Sequence, residues 1–219
     1  MSIAPSHGLG YHVEMKQLIY IADPMCSWCW GFAPQLAKLQ SHFGGRLSII
    51  PIMGGLRPGH RDPMTEELKT AVRSHWIHVA EATGQRFDYG FFDRHGYIYD
   101  TEPACRAVVA VRTIQPEVSL MYFGAVQQAF YVEGRDVTQT SELVDCATSI
   151  GLDANDFTEA YDSPGAEEAV ERDFMIRHRM KVKGFPALFA EEIGHKPVML
   201  IEGYRKLDGL IPAIEKWLG

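Results

Sequence analysis

The stretch Gln17-Leu-Ile-Tyr-Ile-Ala-Asp-Pro-Met-Cys-Ser-Trp-Cys29 decides how this chain is read. Its first half, residues 17–22, is a short apolar and β-branched run, the mark of a buried strand, and it stops at Asp23-Pro24, a turn signal. Beyond the turn Phe32, Leu36, Leu39 and Phe43 recur at helical spacing, so a helix is expected from Cys26 to Phe43, kinked at Pro34 and ended by Gly44-Gly45. The two cysteines therefore stand between a strand and the first turn of a helix. A helix N-terminus carries about half a positive charge, and thiols held there ionise at roughly 3.5–7.5 instead of about 8.5. Cys26 is the candidate nucleophile. Cys29, nearly one turn deeper, is placed to attack a mixed disulfide on Cys26 and close a small ring.

Outward from this stretch, residues 46–50 read as a second strand, and Pro51, which has no N–H for a ladder, belongs at an edge or a strand end. From residue 62 to about 180 the pattern turns helical. Asp62-Pro63 offers an N-cap and first-turn proline for a segment closing at Gly84; residues 103–114 and 117–133 follow, then shorter helices after Thr140 and Asp153, and a last one from Pro164 that stops before Gly184. Strand character returns at residues 186–190 and 197–201, joined by a charged, glycine-containing tip, and residues 207–218 form an amphipathic closing helix. The order is β-α-β, a helical block, then β-β-α. Strand patterns occur only before residue 54 and after residue 185, so both halves are expected in one mixed sheet, an α/β fold interrupted by an all-helical insertion.

Composition narrows the function. The 219 residues are 46% hydrophobic and 22% charged, enough to bury a core, and 21 basic against 28 acidic residues give −7 at pH 7, a balance that argues against nucleic acid as partner. No run approaches the roughly 20 apolar residues of a membrane span. Four cysteines are too few for a secreted disulfide scaffold; the residues before Gln17 read as a loose amino terminus, and the first 17 residues lack the basic and apolar regions of a signal peptide, so a cytoplasmic location is expected.

Several residues carry two readings. Cys26 and Cys29 could form half of a zinc site completed by Cys105 and Cys146 or a histidine, but a structural zinc site usually shows its second pair at short spacing, and no metal is expected. Cys105 and Cys146, alone on helical patterns, read as buried core thiols. Asp23 is a proton acceptor for the thiols or, more commonly in such a place, a turn or cap former. Trp28 and Trp30 are an apolar rim for substrate or packing residues. The basic run Arg177-His-Arg-Met-Lys-Val-Lys183 could stabilise a thiolate or receive carboxylates, although cations at a helix C-terminus also complement its dipole, the reading favoured here. His75 and His78 find no third ligand and read as surface or packing residues.

The block Tyr20-Ile-Ala-Asp-Pro-Met-Cys-Ser-Trp-Cys-Trp-Gly-Phe32, with Glu102-Pro-Ala-Cys-Arg-Ala107, Gly184-Phe-Pro-Ala-Leu188 and Gly203-Tyr204, resembles the DsbA-like branch of the thioredoxin fold, in its cytosolic protein disulfide oxidoreductase or isomerase members. The resemblance runs from about residue 16 to the end. It implies a discontinuous thioredoxin-like domain of residues 16–61 and 181–219 around a helical insertion of residues 62–180. It also implies that Pro186 is cis and that the backbone of Phe185 pairs with an extended substrate beside Cys26. Periplasmic oxidants of the family carry histidine where this chain has Trp28, a departure that puts the strongest oxidising character in doubt. The expected activity is thiol–disulfide exchange through Cys26 and Cys29 on protein, peptide or small-molecule disulfides. No cofactor is required, and glutathione is a possible co-substrate. Two alternatives stand beside it. One is a glutathione-dependent isomerase or transferase of the 2-hydroxychromene-2-carboxylate isomerase or kappa class, whose members typically show serine at the position of Cys26. The other is a client-binding chaperone, which would not need the cysteine pair.

Overall fold

The computed structural model describes residues 16–219; the readings of a loose amino terminus and of no signal peptide fall mainly on residues outside that range. Strand β1 (Lys16–Ala22) is buried over its last five residues because it lies inside a four-stranded sheet of order β2-β1-β3-β4. It pairs in parallel with β2 (Ser48–Met53) and antiparallel with β3 (Ala187–Glu192), and β4 (Val198–Glu202) closes a hairpin on β3. Leu18 stands opposite Ala190 and Ile21 opposite Ala187, so the two strand-bearing halves of the chain do share one sheet. Full burial of Leu18 and Ile21 contributes roughly 1.5–3 kcal/mol per side chain.

Pro51 lies inside β2, not at its end, and the strand continues to Met53. An edge strand tolerates this because one side has no ladder to lose. The outer side is instead met by side chains from the helices between β2 and β3: α2 (Glu66–Thr83), α3 (Glu102–Ile114), α4 (Ser119–Tyr131), α5 (Thr140–Ser149), α6 (Ala154–Tyr161) and α7 (Pro164–Arg179). Asp173 of α7, 2% exposed, accepts the Met53 N–H at 2.8 Å and holds Arg112 of α3 through two 2.8 Å contacts, while Arg112 also donates to the Pro51 carbonyl. The Pro51 C=O and Met53 N–H at the edge of β2 are thereby satisfied, and two helices are fixed to the sheet by one charge pair.

Helix α1 (Ser27–Phe43) buries Phe32, Leu36, Leu39 and Phe43, the face expected from their spacing. It continues through Pro34. Proline lacks the N–H that would bond the carbonyl four residues back. Here that carbonyl, on Trp30, accepts the Gln85 side-chain amide at 2.8 Å. Gly31 lets α2 approach closely, since a Cβ there would fall 2.8 Å from a Val79 methyl.

Three local expectations shift. Helix α2 starts at Glu66, capped by the Thr65 hydroxyl on the Leu68 N–H at 3.2 Å, and Pro63 instead forms a bridge with Ile98. A short 3₁₀ turn covers Tyr89–Asp93, and another, Pro116–Val118, precedes α4. The closing helix α8 spans Leu210–Leu218, shorter than its apolar pattern, because Leu207 to Gly209 form the turn leading into it.

Candidate functional site

Cys26 is the N-cap of α1, with extended backbone at φ −89° and ψ 116°. Its N–H donates to the Asp23 carbonyl at 3.1 Å and its carbonyl receives the Trp30 N–H at 3.1 Å, so the residue sits between a tight turn and the first helical bond. Its side chain caps no helix N–H, which leaves the first-turn amides and their partial positive charge toward the sulfur. Cys26 retains 6% of its surface and Cys29 none. All four cysteines are free thiols. Burial pushes the Cys29 thiol well above its ordinary range, and the neighbouring Cys26 sulfur adds to the effect.

The turn is fastened from behind by Asp23, which is fully buried. Its carboxylate accepts the Met25 N–H at 2.8 Å, the Leu56 N–H at 2.6 Å and the Cys105 thiol at 3.4 Å. Asp23 is thus the expected turn former, and it also ties the cysteine turn to the loop after β2 and to α3. Burial raises its pKa, opposed by the two backbone donors. The Tyr99 hydroxyl donates to the Met25 carbonyl at 2.6 Å. Tyr20 and Tyr131 are fully buried beside the cysteines, each hydroxyl without a hydrogen-bond partner among the described residues. Cys105 is fully buried and Cys146 is 2% exposed; burial raises both thiols, Cys146 to about 11.

The two tryptophans of the motif turn to different neighbours. Trp30 stacks on Tyr131 with ring centroids 6.0 Å apart and donates its indole N–H to the Arg86 carbonyl at 3.0 Å, so it belongs to the packing of α1 against the helices. Trp28 is half-buried and lies 5.6 Å from the Tyr204 ring, in the loop after β4.

The Phe185–Pro186 peptide bond is cis. Continuing the β1–β3 register by one step puts Pro186 across from Ala22, four residues before Cys26. A second set of contacts fixes the same corner. Gly54 N–H donates to the Ala22 carbonyl at 2.7 Å, and the Phe185 ring lies so close over Gly54 that a Cβ there would be 2.2 Å from it. The N–H and C=O of Phe185 form no hydrogen bond among the described residues, while Pro186 C=O accepts the Gly203 N–H at 2.7 Å. Arg177 places its guanidinium 5.3 Å from the Phe185 ring centroid. The structure thus gathers Cys26, Cys29, Phe185 and Pro186 at one end of the sheet, with Trp28 on the first turn of α1. His75 and His78 are exposed on α2. Among the described residues no group of three or more histidine, cysteine, aspartate or glutamate side chains is arranged to hold a metal ion, and no described helix is long and apolar enough to cross a membrane.

Tyr99, Cys105 and Arg177 joined this site without being singled out individually as partners of the turn. Tyr99 reaches Met25 and Cys105 reaches Asp23 across more than 70 residues of sequence, and no local pattern announces such contacts.

A family model described as Thioredoxin matches residues 19–210. Among solved structures, a Nitrosomonas europaea protein described as a "putative protein disulfide isomerase" is 37% identical, with a TM-score of 0.86 over 94% of this chain and 98% of that one. The cytosolic disulfide reductase DsbM from Pseudomonas aeruginosa is 28% identical, with a TM-score of 0.71 over 84% of this chain and 89% of its own, and a structure of DsbM with GSH aligns at 26% identity and 0.69. Among curated proteins, the ClpXP adapter protein SpxH of Halalkalibacterium halodurans is 25% identical over 90% of this chain and 66% of its own length, and that of Bacillus subtilis is 21% identical over 84% and 60%. The chain therefore spans less than two thirds of the length of these curated relatives.

Proposed function

Because the chain belongs to the thioredoxin family, in its DsbA-like branch, we propose that it is a thiol–disulfide oxidoreductase that exchanges electrons between the Cys26–Cys29 pair and protein, peptide or glutathione thiols. The observation that carries this reading is the unequal placement of the two sulfurs: Cys26 at the N-cap of α1 and at the surface boundary, Cys29 one turn deeper and sealed. Cys26 as thiolate attacks a substrate disulfide, forming a mixed disulfide and releasing one substrate thiolate. Cys29, after losing its proton, attacks the Cys26 sulfur, forming the internal disulfide and releasing the second thiolate. The sulfurs carry both electrons, so no bound cofactor enters the step. The unpaired Phe185 N–H and C=O offer strand-like pairing to the substrate backbone, and Trp28 lends an apolar surface. The cytosolic reductase DsbM, and its structure with GSH, support a cytoplasmic setting and glutathione as a redox partner.

The decisive experiment is equilibration of the protein with glutathione redox buffers followed by thiol counting. A two-electron transition confined to Cys26 and Cys29 is expected. A pair that stays reduced across buffers from about −270 to −120 mV would sink the reading.

The likeness to SpxH favours a second reading, an adapter that presents a client to a protease. Client binding would survive Cys26→Ser, whereas exchange would not.

A further inference from the structure

We infer that Arg177 is a carboxylate-binding residue that makes this site selective for acidic thiols and disulfides, those carrying a carboxylate next to the reacting sulfur. The inference rests on the dithiol reading above and concerns which substrates that chemistry accepts. Arg177 lies in the last turn of α7 with its guanidinium over the ring of Phe185, the residue before Pro186. Its Nε is buried without a hydrogen-bond partner. No carboxylate among the described residues lies within ion-pair distance of it.

Two carboxylates at this corner of the fold are bonded to other groups. Asp173, one helical turn earlier and so on the same face, is held by Arg112 and the Met53 N–H. Glu202, on the strand facing this loop, accepts the Lys183 N–H at 2.6 Å and the Gly184 N–H at 3.3 Å. A cation that merely finished a helix would be solvated. This one is half-buried, its guanidinium sits 5.3 Å from the ring centroid of the residue whose backbone is free to bind substrate, and its Nε has no acceptor. Arg179, Lys181 and Lys183 reinforce the field, in a chain whose net charge is −7. A planar guanidinium is also the side chain best shaped to hold a carboxylate.

The test compares two probes of equal peptide framework: glutathione disulfide, and its tetraethyl ester with every carboxylate masked. In each case Cys26 thiolate attacks one probe sulfur, the probe S–S bond breaks onto the departing thiolate, and Cys29 then displaces the second. Single-turnover oxidation of the reduced protein, followed by tryptophan fluorescence and quenched mass analysis, gives the rate. The wild type should favour glutathione disulfide by about tenfold, the order expected of one charge-assisted hydrogen bond. Raising the salt should shrink that preference. Arg177→Gln should abolish the preference by slowing glutathione disulfide about tenfold more than the ester, and Arg177→Lys should restore part of it. Lys196→Gln, which removes an exposed charge at the hairpin tip, should change neither rate. Equal wild-type rates for the two probes, or an Arg177→Gln protein slowed equally on both, would overturn the inference and leave Arg177 as a prop for Phe185. A wild type that oxidises with neither probe would overturn the dithiol reading and this one together.

Discussion

The cysteine turn has two unlike sides. On one, half-buried Trp28, the unpaired backbone of Phe185 and the unneutralised Arg177 leave groups available to a partner. On the other, Tyr20, Asp23, Tyr99, Cys105 and Tyr131 are buried, and Asp23 alone gathers two backbone N–H groups and a thiol. On the proposed exchange reaction, the difference divides the labour between identical side chains. Cys26, at the boundary, can meet an incoming disulfide. Cys29 is shielded by burial that also disfavours its thiolate, so the proposed mechanism has it react where a mixed disulfide is delivered to it on the neighbouring sulfur.

The largest expected effect comes from removing the open side's proposed nucleophile. Cys26→Ser should abolish disulfide exchange, whereas Cys29→Ser should keep the first attack and accumulate mixed disulfides with substrate or glutathione on Cys26, read by intact-protein mass. A Cys26→Ser protein with full activity would erase the distinction between the sides.

Next in size is the charge pair that fixes α3 and α7 to β2, and through them part of the sealed side. Asp173→Ala leaves Arg112 and the Met53 N–H without their acceptor in a buried setting, so urea unfolding should show a loss of about 3–5 kcal/mol. A loss below about 1 kcal/mol would mean that solvent already reaches the pair.

Asp23 gives a pH signature. Burial raises its folded pKa, so the folded state holds that proton more tightly than the unfolded one. Its contribution to stability is greatest below the ordinary carboxylate range and declines as pH rises through the raised value. Asp23→Asn lacks that titration. The stability difference, wild type minus variant, should therefore fall with increasing pH across the acid range; a flat difference would show that the three donors fully offset the burial.

The smallest effect belongs to the repair at Pro34. Gln85→Ala leaves the Trp30 carbonyl without its donor and should cost about 1 kcal/mol with little change in exchange rate.

Much of this was legible in the sequence, and the rest was not for physical reasons. Strand and helix order followed from periodicity because each burial stripe is local, as with Phe32, Leu36, Leu39 and Phe43. Pro51 was readable as an edge residue, but not as an interior one, because Arg112 and Asp173, which satisfy that edge, come from distant helices. Asp62-Pro63 mimicked a helix start, yet Thr65 holds the cap, and Pro63 was drawn into a bridge with Ile98. The placement of the cysteine pair between a strand and a helix start was legible from spacing and context. The cluster behind it was not, since Tyr99, Cys105 and Tyr131 reach the turn only through tertiary packing. Arg177 was readable as a solvated helix-end cation; its seat on Phe185 and the diversion of Asp173 to Arg112 belong to the fold alone.

The central claim, that burial makes the two thiols unequal, is tested most directly by timed iodoacetamide labelling of the reduced protein at neutral pH, followed by peptide mass mapping of all four cysteines. Cys26 should be modified first, with Cys29, Cys105 and Cys146 lagging well behind it. Labelling of Cys29 as fast as, or faster than, Cys26 would contradict the account.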